Sequence, residues 1–157
     1  MPCHNASKPG GCRRQNCQFE HGPTLISRFL QYLNSAHHTL DVCVFTITCD
    51  EIANCVMDLH KRGVKVRVIT DDDQSDSQGS DIQKFRNVGI PVKVDHARTH
   101  MHHKFAIIDG KILMNGSFNW TRQAVLGNQE NVVVIENATL VAGFQQQFEK
   151  LWAQFRA

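Results

Sequence analysis

The stretch HMHHKFAIIDG, residues 100–110, places three histidines and a lysine directly before a run of apolar residues. If residues 102–109 form a strand, His102 and Lys104 project from one face and His103 projects from the other. An imidazole can attack phosphorus or donate a proton near neutral pH, and an ammonium group can neutralise phosphate oxygens. The pair therefore predicts chemistry on a phosphate ester.

Residues further along the chain add groups that suit the same chemistry. Asp109 completes a His-x-Lys-x4-Asp pattern, which is short enough to need support from its context. The segment GSFNW follows, in which Gly116 permits close backbone approach. Ser117 and Asn119 offer short polar groups to phosphate oxygens. Glu130, in NQENVVV, is placed to accept the second imidazole N–H and fix the tautomer of a catalytic histidine.

These motifs resemble those of the phospholipase D superfamily, and the resemblance covers most of residues 23–157. It implies a metal-independent phosphodiesterase in which His102 attacks phosphorus to form a phosphohistidine that water later releases. The resemblance implies that the remaining groups serve this step: Lys104 and Asn119 hold the phosphate, Ser117 assists in binding it, and Glu130 orients His102. Asp109 belongs to the same catalytic motif, and we expect it to stabilise the framework by hydrogen bonding.

The mechanism needs two histidines on opposite sides of the phosphorus, one as nucleophile and one as general acid. The chain contains one His-x-Lys pair. We therefore expect an isologous homodimer whose two-fold axis passes through the active site, so that each chain supplies one His102. Superfamily members with a single motif assemble in this way. The alternative is a monomer in which His100, which shares strand parity with His102, serves as the acid.

A second cluster lies near the N-terminus, where four soft ligands follow the spacing Cys-x8-Cys-x4-Cys-x3-His: Cys3, Cys12, Cys17 and His21. This resembles a CCCH zinc finger. The segment has few apolar residues, so a structural Zn²⁺ ion would supply its stability, and a closed four-ligand site would leave no catalytic position. No cofactor is then expected for catalysis. His4 is a rival ligand, and a disordered tail with incidental cysteines is the alternative.

The rest of the chain alternates between strand-like and helix-like patterns, which predicts an α/β fold. We expect a phospholipase D-like domain over residues 23–157, with a mixed central sheet flanked by helices on both faces, preceded by the finger over residues 1–22. The apolar run at residues 39–48 should form a central strand, covered on both faces. Further strands are predicted at residues 64–70, 90–95, 102–109, 111–117 and 131–136.

Helices are predicted from apolar spacing and from capping signals. The first contains Leu25 to Leu33 after Pro23, and a capping box of Thr48 with Glu51 should open the second, which ends at Gly63. Ser80 with Gln83 suggests another capping box before a short helix that ends near Gly89. An amphipathic stripe closes the chain and should belong to the core: Leu140, Val141, Phe144, Phe148, Leu151, Trp152 and Phe155. The acidic run at residues 71–80 is expected to be a solvated loop.

Composition sets broad limits on the class of protein. A chain of 157 residues that is 41% hydrophobic can form one domain with a substantial core. The formal net charge of +2 is too small to mark the whole surface as binding nucleic acid, although a local basic groove is compatible with it. No apolar run approaches the roughly 18 residues that cross a bilayer, so the chain as written is expected to be soluble.

A single-motif domain with a CCCH finger resembles the Zucchini family, also called mitochondrial phospholipase D. That resemblance implies attachment to the mitochondrial outer membrane, facing the cytosol, through an N-terminal anchor that this chain lacks. It also implies cleavage of single-stranded RNA in piRNA maturation, in germline cells and meiosis, with 5′-phosphate products. Hydrolysis of cardiolipin to phosphatidic acid is the competing activity, and a catalytically silent RNA-binding module is the third hypothesis.

The substrate should be reflected in the surface around His102. A lipid hydrolase needs an apolar entry surface, whereas a nuclease needs a positively charged groove. Four basic residues lie near the motif in sequence, namely Lys93, Arg98, Lys111 and Arg122. Few large exposed apolar residues are expected near it in sequence. This balance favours nucleic acid, with DNA as a further option beside RNA. A groove at a dimer axis would be narrow and would favour single strands.

Overall fold

The computed structural model describes residues 3, 12–19, 21–71 and 81–157, and six strands lie within this part of the chain. The strands are β1 (Thr39–Val44), β2 (Lys65–Asp71), β3 (Val92–Asp95), β4 (Lys104–Ile108), β5 (Ile112–Gly116) and β6 (Val132–Ile135). They form one sheet in the order β3-β2-β1-β4-β5-β6. The β1–β2 and β2–β3 pairs are parallel, and the pairs on the other side are antiparallel. The sheet is therefore mixed and β1 is central, as predicted.

Helices cover both faces of this sheet, which confirms the predicted fold class. They are α1 (Leu25–Asn34), α2 (Asp50–Lys61), α3 (Ile82–Asn87), α4 (Arg122–Leu126) and α5 (Ala138–Gln154). Side chains of α1 to α4 pack in one apolar cluster with Val42 of β1. Those of α5 pack in a second cluster with Cys43, on the opposite face of β1. This alternation explains why β1 is apolar at successive positions.

The helix starts differ from the predicted ones. Cys49 is the N-cap of α2 and makes no side-chain capping bond, so the capping box assigned to Thr48 was wrong. The backbone N–H groups of Thr48 and Cys49 both donate to the Trp120 carbonyl, at 2.9 and 3.0 Å, and this long-range contact fixes the local geometry. A capping box does open α1, where the side chains of Thr24 and Ser27 bond reciprocally to each other's backbone N–H.

Three further expectations need correction or fall outside the structure's description. The N-cap of α3 is Asp81, whereas Ser80 lies outside the described residues. Asp71 is the last residue of β2 and is buried, so the predicted solvated loop was wrong at this position; residues 72–80 lie outside the described range. Leu140 was assigned to the core but is 48% exposed, because it lies at the N-terminal end of α5.

Candidate active site

The candidate active site lies at one end of the sheet, where the register brings several chain segments together. Lys104, the first residue of β4, pairs with Val44 at the end of β1. Gly116, the last residue of β5, pairs with Val132 at the start of β6. Residues that precede β4 and β6 and residues that follow β1 and β5 therefore meet at the same end of the sheet. This arrangement brings the loop of His102 toward Ser117 and Glu130.

His102 and Lys104 converge as strand alternation predicted. The Lys104 Nζ lies 3.1 Å from Nδ1 and 3.4 Å from Nε2 of the His102 ring, and it donates to the His102 carbonyl at 2.9 Å. Both side chains pack on Phe45, with the His102 ring centroid 4.8 Å and the Lys104 Nζ 5.5 Å from the Phe45 centroid. An imidazole and an ammonium group are thus held side by side at the mouth of β4.

His103 lies on the opposite face, which confirms the other half of the alternation. Its ring contacts Phe105 at a centroid distance of 5.4 Å, and its Nε2 lies 3.3 Å from the Gln147 amide of α5. Burial lowers the pKa of His103, and the positive charges of Lys104 and His102 lower it further. His103 is therefore a packing neighbour of α5 and stands apart from the His102–Lys104 pair.

The charge of Lys104 is destabilised in the absence of an anion. Partial burial lowers the pKa of Lys104 below its ordinary value, although the negative charge of Glu130 opposes the shift. Desolvation disfavours the charged form of a lysine, and a bound anion favours it. A phosphate placed against Lys104 would supply that anion, so the site is electrostatically suited to bind one.

Ser117, Asn128 and Glu130 form a polar cluster beside this pair. Ser117 Oγ donates a short hydrogen bond to Glu130 Oε2, and the Asn128 amide donates to Oε1 at 2.9 Å. These two bonds, with a contribution from the charge of Lys104, lower the pKa of Glu130. Glu130 is therefore an ionised acceptor within reach of the phosphate-binding residues. Its role in orienting His102 remains a prediction.

Gly116 holds the β5–β6 end of the site together. A Cβ atom at this position would lie 1.9 Å from the Asn131 carbonyl oxygen. Any other residue would force the two strands apart at the point where Ser117 N–H donates to that same carbonyl at 3.1 Å. The sequence predicted a close backbone approach at this glycine, and the structure shows it between Gly116 and the backbone of Asn131.

Asn119 and Trp120 follow in a segment fixed by the loop after β1. The Trp120 N–H donates to the Thr46 carbonyl at 3.0 Å, and the Trp120 side chain is buried. Among the described residues, the Asn119 Oδ1 is a buried acceptor that has no hydrogen-bond partner. A buried acceptor without a partner is costly in a folded protein and calls for an explanation such as a bound ligand. Asn119 is thus a buried polar group available to a ligand.

Asp109 lies at the other end of β4. It lies five positions after Lys104, which corresponds to about 17 Å along a strand. Its carboxylate accepts the backbone N–H groups of His37, His38 and Thr39 at 2.9, 2.7 and 2.8 Å. Although partial burial opposes ionisation, these hydrogen bonds lower the pKa of Asp109. The contacts of Asp109 therefore support the framework role that we expected for it.

Two residues near the site were not singled out from the sequence. Phe45 is the first residue after β1, and Asp71 is the buried last residue of β2. Both occupy the C-terminal ends of neighbouring parallel strands, where ligands of open α/β sheets commonly bind. That position was the available signal. His100, considered above as an alternative acid, contacts both of them.

The N-terminal cysteine and histidine ligands come together as predicted. One ligand atom from each residue of the cluster lies within 4.8 Å of all the others: Cys3, Cys12, Cys17 and His21. The Cys3 and Cys17 sulfurs are 3.7 Å apart, which fits the spacing of about 3.8 Å between thiolates that bind one tetrahedral zinc ion at 2.3 Å. A backbone hydrogen bond from Phe19 lowers the pKa of Cys17, but burial and the neighbouring thiols outweigh it, so the net pKa is raised. The donor set fits a tetrahedral metal.

An apolar groove of about 650 Å³ opens beside Glu130, between α1, α4 and β6. Three of its large apolar residues are exposed, namely Leu25, Tyr32 and Val132. Leu25 and Tyr32 come from α1, which is distant from the motif in sequence, so proximity in the sequence does not reveal them. The groove is lined by the following side chains among others: Leu25, Ile26, Phe29, Tyr32, Phe118, Val125, Val132 and Val134.

The basic residues near the motif in sequence do not all lie near it in space. Lys111 follows the β4–β5 turn, at the end of β4 distant from Lys104. Lys93 donates to the Trp152 carbonyl of α5. Arg122 begins α4, shortly after Trp120, and is exposed while it faces Glu51 at 3.8 Å. Within the described ranges, no helix is long and apolar enough to cross a membrane.

Comparison with known proteins adds three findings. A family model described as "Cardiolipin synthase, PLD-like domain" matches residues 29–152. The mitochondrial cardiolipin hydrolase of Chlamydomonas reinhardtii is 60% identical over 156 residues, which are 99% of this chain and 70% of that protein. The Homo sapiens protein of the same name is 43% identical over 150 residues, which are 96% of this chain and 58% of that protein.

A solved structure is similar over nearly the same range. The crystal structure of Nuc from Salmonella typhimurium, described as a phospholipase D family member, has a TM-score of 0.78 and 30% identity. The similarity covers 83% of this chain and 89% of that chain. The range matched by the family model contains the candidate active site from Phe45 to Glu130.

Proposed function

The chain belongs to the phospholipase D superfamily, and we propose that it is a metal-independent phosphodiesterase that cleaves single-stranded RNA. The observation that carries this proposal is the contact of the His102 imidazole with the Lys104 ammonium on the Phe45 ring. Both groups are partly open to solvent at the end of the sheet. A nucleophile and a phosphate-binding cation therefore lie together where a substrate can reach them.

In the proposed first step, a ring nitrogen of His102 attacks phosphorus and forms a P–N bond, while the bond from phosphorus to the 3′-oxygen breaks. The departing oxygen takes a proton from the partner subunit's His102, and the phosphate stays attached to the 5′-oxygen of the downstream fragment. Water then attacks phosphorus and releases His102, leaving a 5′-phosphate. In-line displacement places nucleophile and leaving group on opposite sides, which is why two histidines are needed.

Lys104, Asn119 and Ser117 would bind the non-bridging oxygens. Partial burial lowers the pKa of Lys104, and a phosphate against it would favour the charged form. The Asn119 Oδ1 has no hydrogen-bond partner among the described residues, so the amide is not held in one orientation through that atom. Rotation of the Asn119 amide by 180° would present its NH₂ group as a donor. Glu130 would accept a hydrogen bond from an imidazole N–H and so fix the tautomer once the homodimer forms with its axis through the site.

The N-terminal ligands would hold a structural zinc ion. Four donors, whose ligand atoms lie within 4.8 Å of one another, would complete a tetrahedral zinc site and leave no open coordination position for a substrate. Zinc would therefore stabilise the segment that contains Cys3 to His21, and the chemistry at His102 would proceed without it.

The wider setting is inferred from the family resemblance and from the relatives' names. We place the protein on the mitochondrial outer membrane, facing the cytosol, with piRNA precursors in germline cells as its RNA. DNA single strands are a further substrate that the same phosphate chemistry would accept.

Cleavage of end-labelled single-stranded RNA without added divalent metal tests the proposal. We expect cleavage by the parent protein, loss of cleavage in His102→Asn, and near-normal cleavage in His103→Asn, because His103 faces α5. The adjacent histidine is a matched control for general effects of the substitution on folding. Equal cleavage of duplex RNA, or equal loss in both variants, would contradict the proposal.

Cardiolipin is the second candidate substrate, and the apolar groove favours it. Glu130, whose charge acts on Lys104, is among the residues that line the groove. The groove would receive an acyl chain of a lipid whose phosphate lies against Lys104. Leu25→Gln should then reduce release of phosphatidic acid from cardiolipin vesicles without changing RNA cleavage. Leu140→Gln is the matched control, because Leu140 is also exposed but lies on α5. Equal effects of the two substitutions would argue against an acyl-chain site.

A further inference from the structure

We propose that Phe45 is a positioning residue for phosphate transfer, and that the face of its ring holds the Lys104 ammonium next to the His102 imidazole before a phosphate binds. The inference deepens the proposed function, since it takes these two groups as the pair that receives the phosphate. Phe45 is half-buried and directly follows β1. Its role is indirect, because it acts through Lys104 and His102.

The Lys104 Nζ contacts a small set of groups, and none of them carries a negative charge. It donates to the His102 carbonyl at 2.9 Å and lies 3.1 Å from the His102 Nδ1. It also lies over the Phe45 ring, 5.5 Å from the centroid. Glu130 acts on Lys104 through its charge, and within the described ranges no carboxylate forms an ion pair with this lysine. The aromatic face and one carbonyl are therefore what attract the ammonium at close range.

An aromatic face suits this position better than a carboxylate would. The negative face of a phenyl ring attracts a cation that lies within about 6 Å of its centroid. The ring has no net charge, so the ammonium keeps its full charge for a phosphate. A carboxylate in the same place would neutralise the ammonium, and phosphate would have to displace it. Phe45 thus fixes Lys104 without competing with the substrate.

Backbone hydrogen bonds fix Phe45 against the segment that carries the pair. Its N–H donates at 2.9 Å to the carbonyl of His103, the residue between the two members of the pair. Its own carbonyl accepts the Thr70 hydroxyl at 2.9 Å and the Asp71 N–H at 3.4 Å. The ring is therefore tied both to the end of β2 and to the start of β4.

Four titratable groups surround the Lys104 ammonium and the ring. Partial burial lowers the pKa of Lys104, and the charge of Glu130 opposes this shift. His102 and His100 pack on the ring at centroid distances of 4.8 and 5.4 Å, and the charge of Lys104 helps to lower the pKa of His103. A small gap beside Lys104 is lined by uncharged side chains: Phe29, Met114, Asn115, Phe118, Trp120 and Val132. The ring face therefore acts in the same direction as Glu130 and favours the ammonium.

The test replaces Phe45 by monofluoro-, trifluoro- and pentafluorophenylalanine, which nearly keep the shape of the ring while fluorine withdraws electron density from its face. The pKa of Lys104 is followed by NMR of lysine that is isotope-labelled at Cε, with Lys104→Arg to assign the signal. We expect this pKa to fall along the series, by about 0.5 to 1 in the pentafluoro variant. The affinity for inorganic phosphate and kcat/KM on single-stranded RNA should each fall about fivefold in that variant.

Two controls separate the ring face from packing. Phe85 is buried in α3, and no cation among the described residues lies over its ring. Pentafluorophenylalanine in place of Phe85 should leave the Lys104 pKa, the phosphate affinity and kcat/KM unchanged. Phe45→Tyr keeps an electron-rich ring face and should retain most of the phosphate affinity.

The outcomes distinguish this inference from the proposed function. A Lys104 pKa that stays constant along the fluorinated series would overturn the inference, as would equal effects of pentafluorination at Phe45 and Phe85. A lowered pKa with unchanged phosphate affinity would also overturn it. A graded fall in both quantities, in a parent protein that cleaves no RNA, would support the role of Phe45 at the phosphate site and contradict the nuclease activity alone.

Discussion

Asp109→Asn should destabilise the fold through the backbone N–H groups that the carboxylate accepts. Asp109 has a φ of 52° in the left-handed region, which asparagine tolerates better than most residues. The substitution therefore removes charge and acceptor capacity with little change in backbone strain. In the native protein, three N–H groups donate to this carboxylate, from His37, His38 and Thr39.

The expected magnitude follows from these contacts. Hydrogen bonds to a charged group contribute about 1.5 to 3 kcal/mol each, but water can replace a lost acceptor where the backbone is exposed. His37 and His38 are exposed, so we expect the free energy of unfolding to fall by about 1 to 2 kcal/mol in Asp109→Asn. Asp109→Gly also tolerates the positive φ but removes the whole side chain, and it should cost about 2 to 4 kcal/mol.

The direction of the Asp109 pKa shift determines how the destabilisation by Asp109→Asn changes with pH. The pKa of Asp109 is lowered in the folded protein, so its contribution is fully present above the unfolded value of about 3.9 and is lost as the pH falls through the folded value. Urea unfolding of the parent and Asp109→Asn should show a constant difference in free energy from pH 7 to pH 5. The difference should shrink below about pH 4. A difference near zero at pH 7, or one that persists unchanged to pH 3, would refute this account.

Three other predictions concern the site and the finger. Gly116→Ala should lower the free energy of unfolding by about 2 to 3 kcal/mol, because the new Cβ meets the Asn131 carbonyl. Gly143→Ala on α5 is the control, since a Cβ atom there meets open space. Equal urea midpoints for the two variants would contradict the packing argument. Because the pKa of Lys104 is lowered, kcat/KM should fall on the alkaline side of its pH profile with an apparent pKa below about 10.4. In Lys104→Arg this fall should move to higher pH. If it does not move, the titrating group is not Lys104. Removal of zinc by a chelator should make the segment around Cys17 sensitive to protease before the rest of the domain unfolds. RNA cleavage should persist after this removal. Loss of cleavage together with the metal would contradict a purely structural role.

The features that the sequence predicted correctly are those that depend on the periodicity of side chains along a strand. The two-residue alternation predicted for a strand over residues 102–109 placed His102 and Lys104 together and His103 apart, and the structure confirms both placements. The predicted start of the strand was two residues early, because β4 begins at Lys104. The apolar run of β1 likewise predicted a central strand covered on both faces. These features are local, because side-chain direction along a strand follows from backbone geometry alone.

What the sequence could not predict depends on contacts between distant segments. Thr48 does not cap α2, and its N–H donates to the carbonyl of Trp120, more than seventy positions further along the chain. The apolar groove joins α1 to β6, so the exposure of Leu25 and Val132 has no local signal. Asp71 was assigned to an acidic loop by composition, but strand pairing buries it at the end of β2.

Detection of the covalent intermediate would test the central claim most directly. The parent protein is mixed with single-stranded RNA without divalent metal, quenched within milliseconds under conditions that preserve phosphohistidine, and digested for mass spectrometry. We predict a nucleotidyl adduct on His102 that forms and decays at the rate of turnover and is missing in His102→Asn. An adduct on another residue, or turnover without any adduct on His102, would contradict the assignment of His102 as the nucleophile.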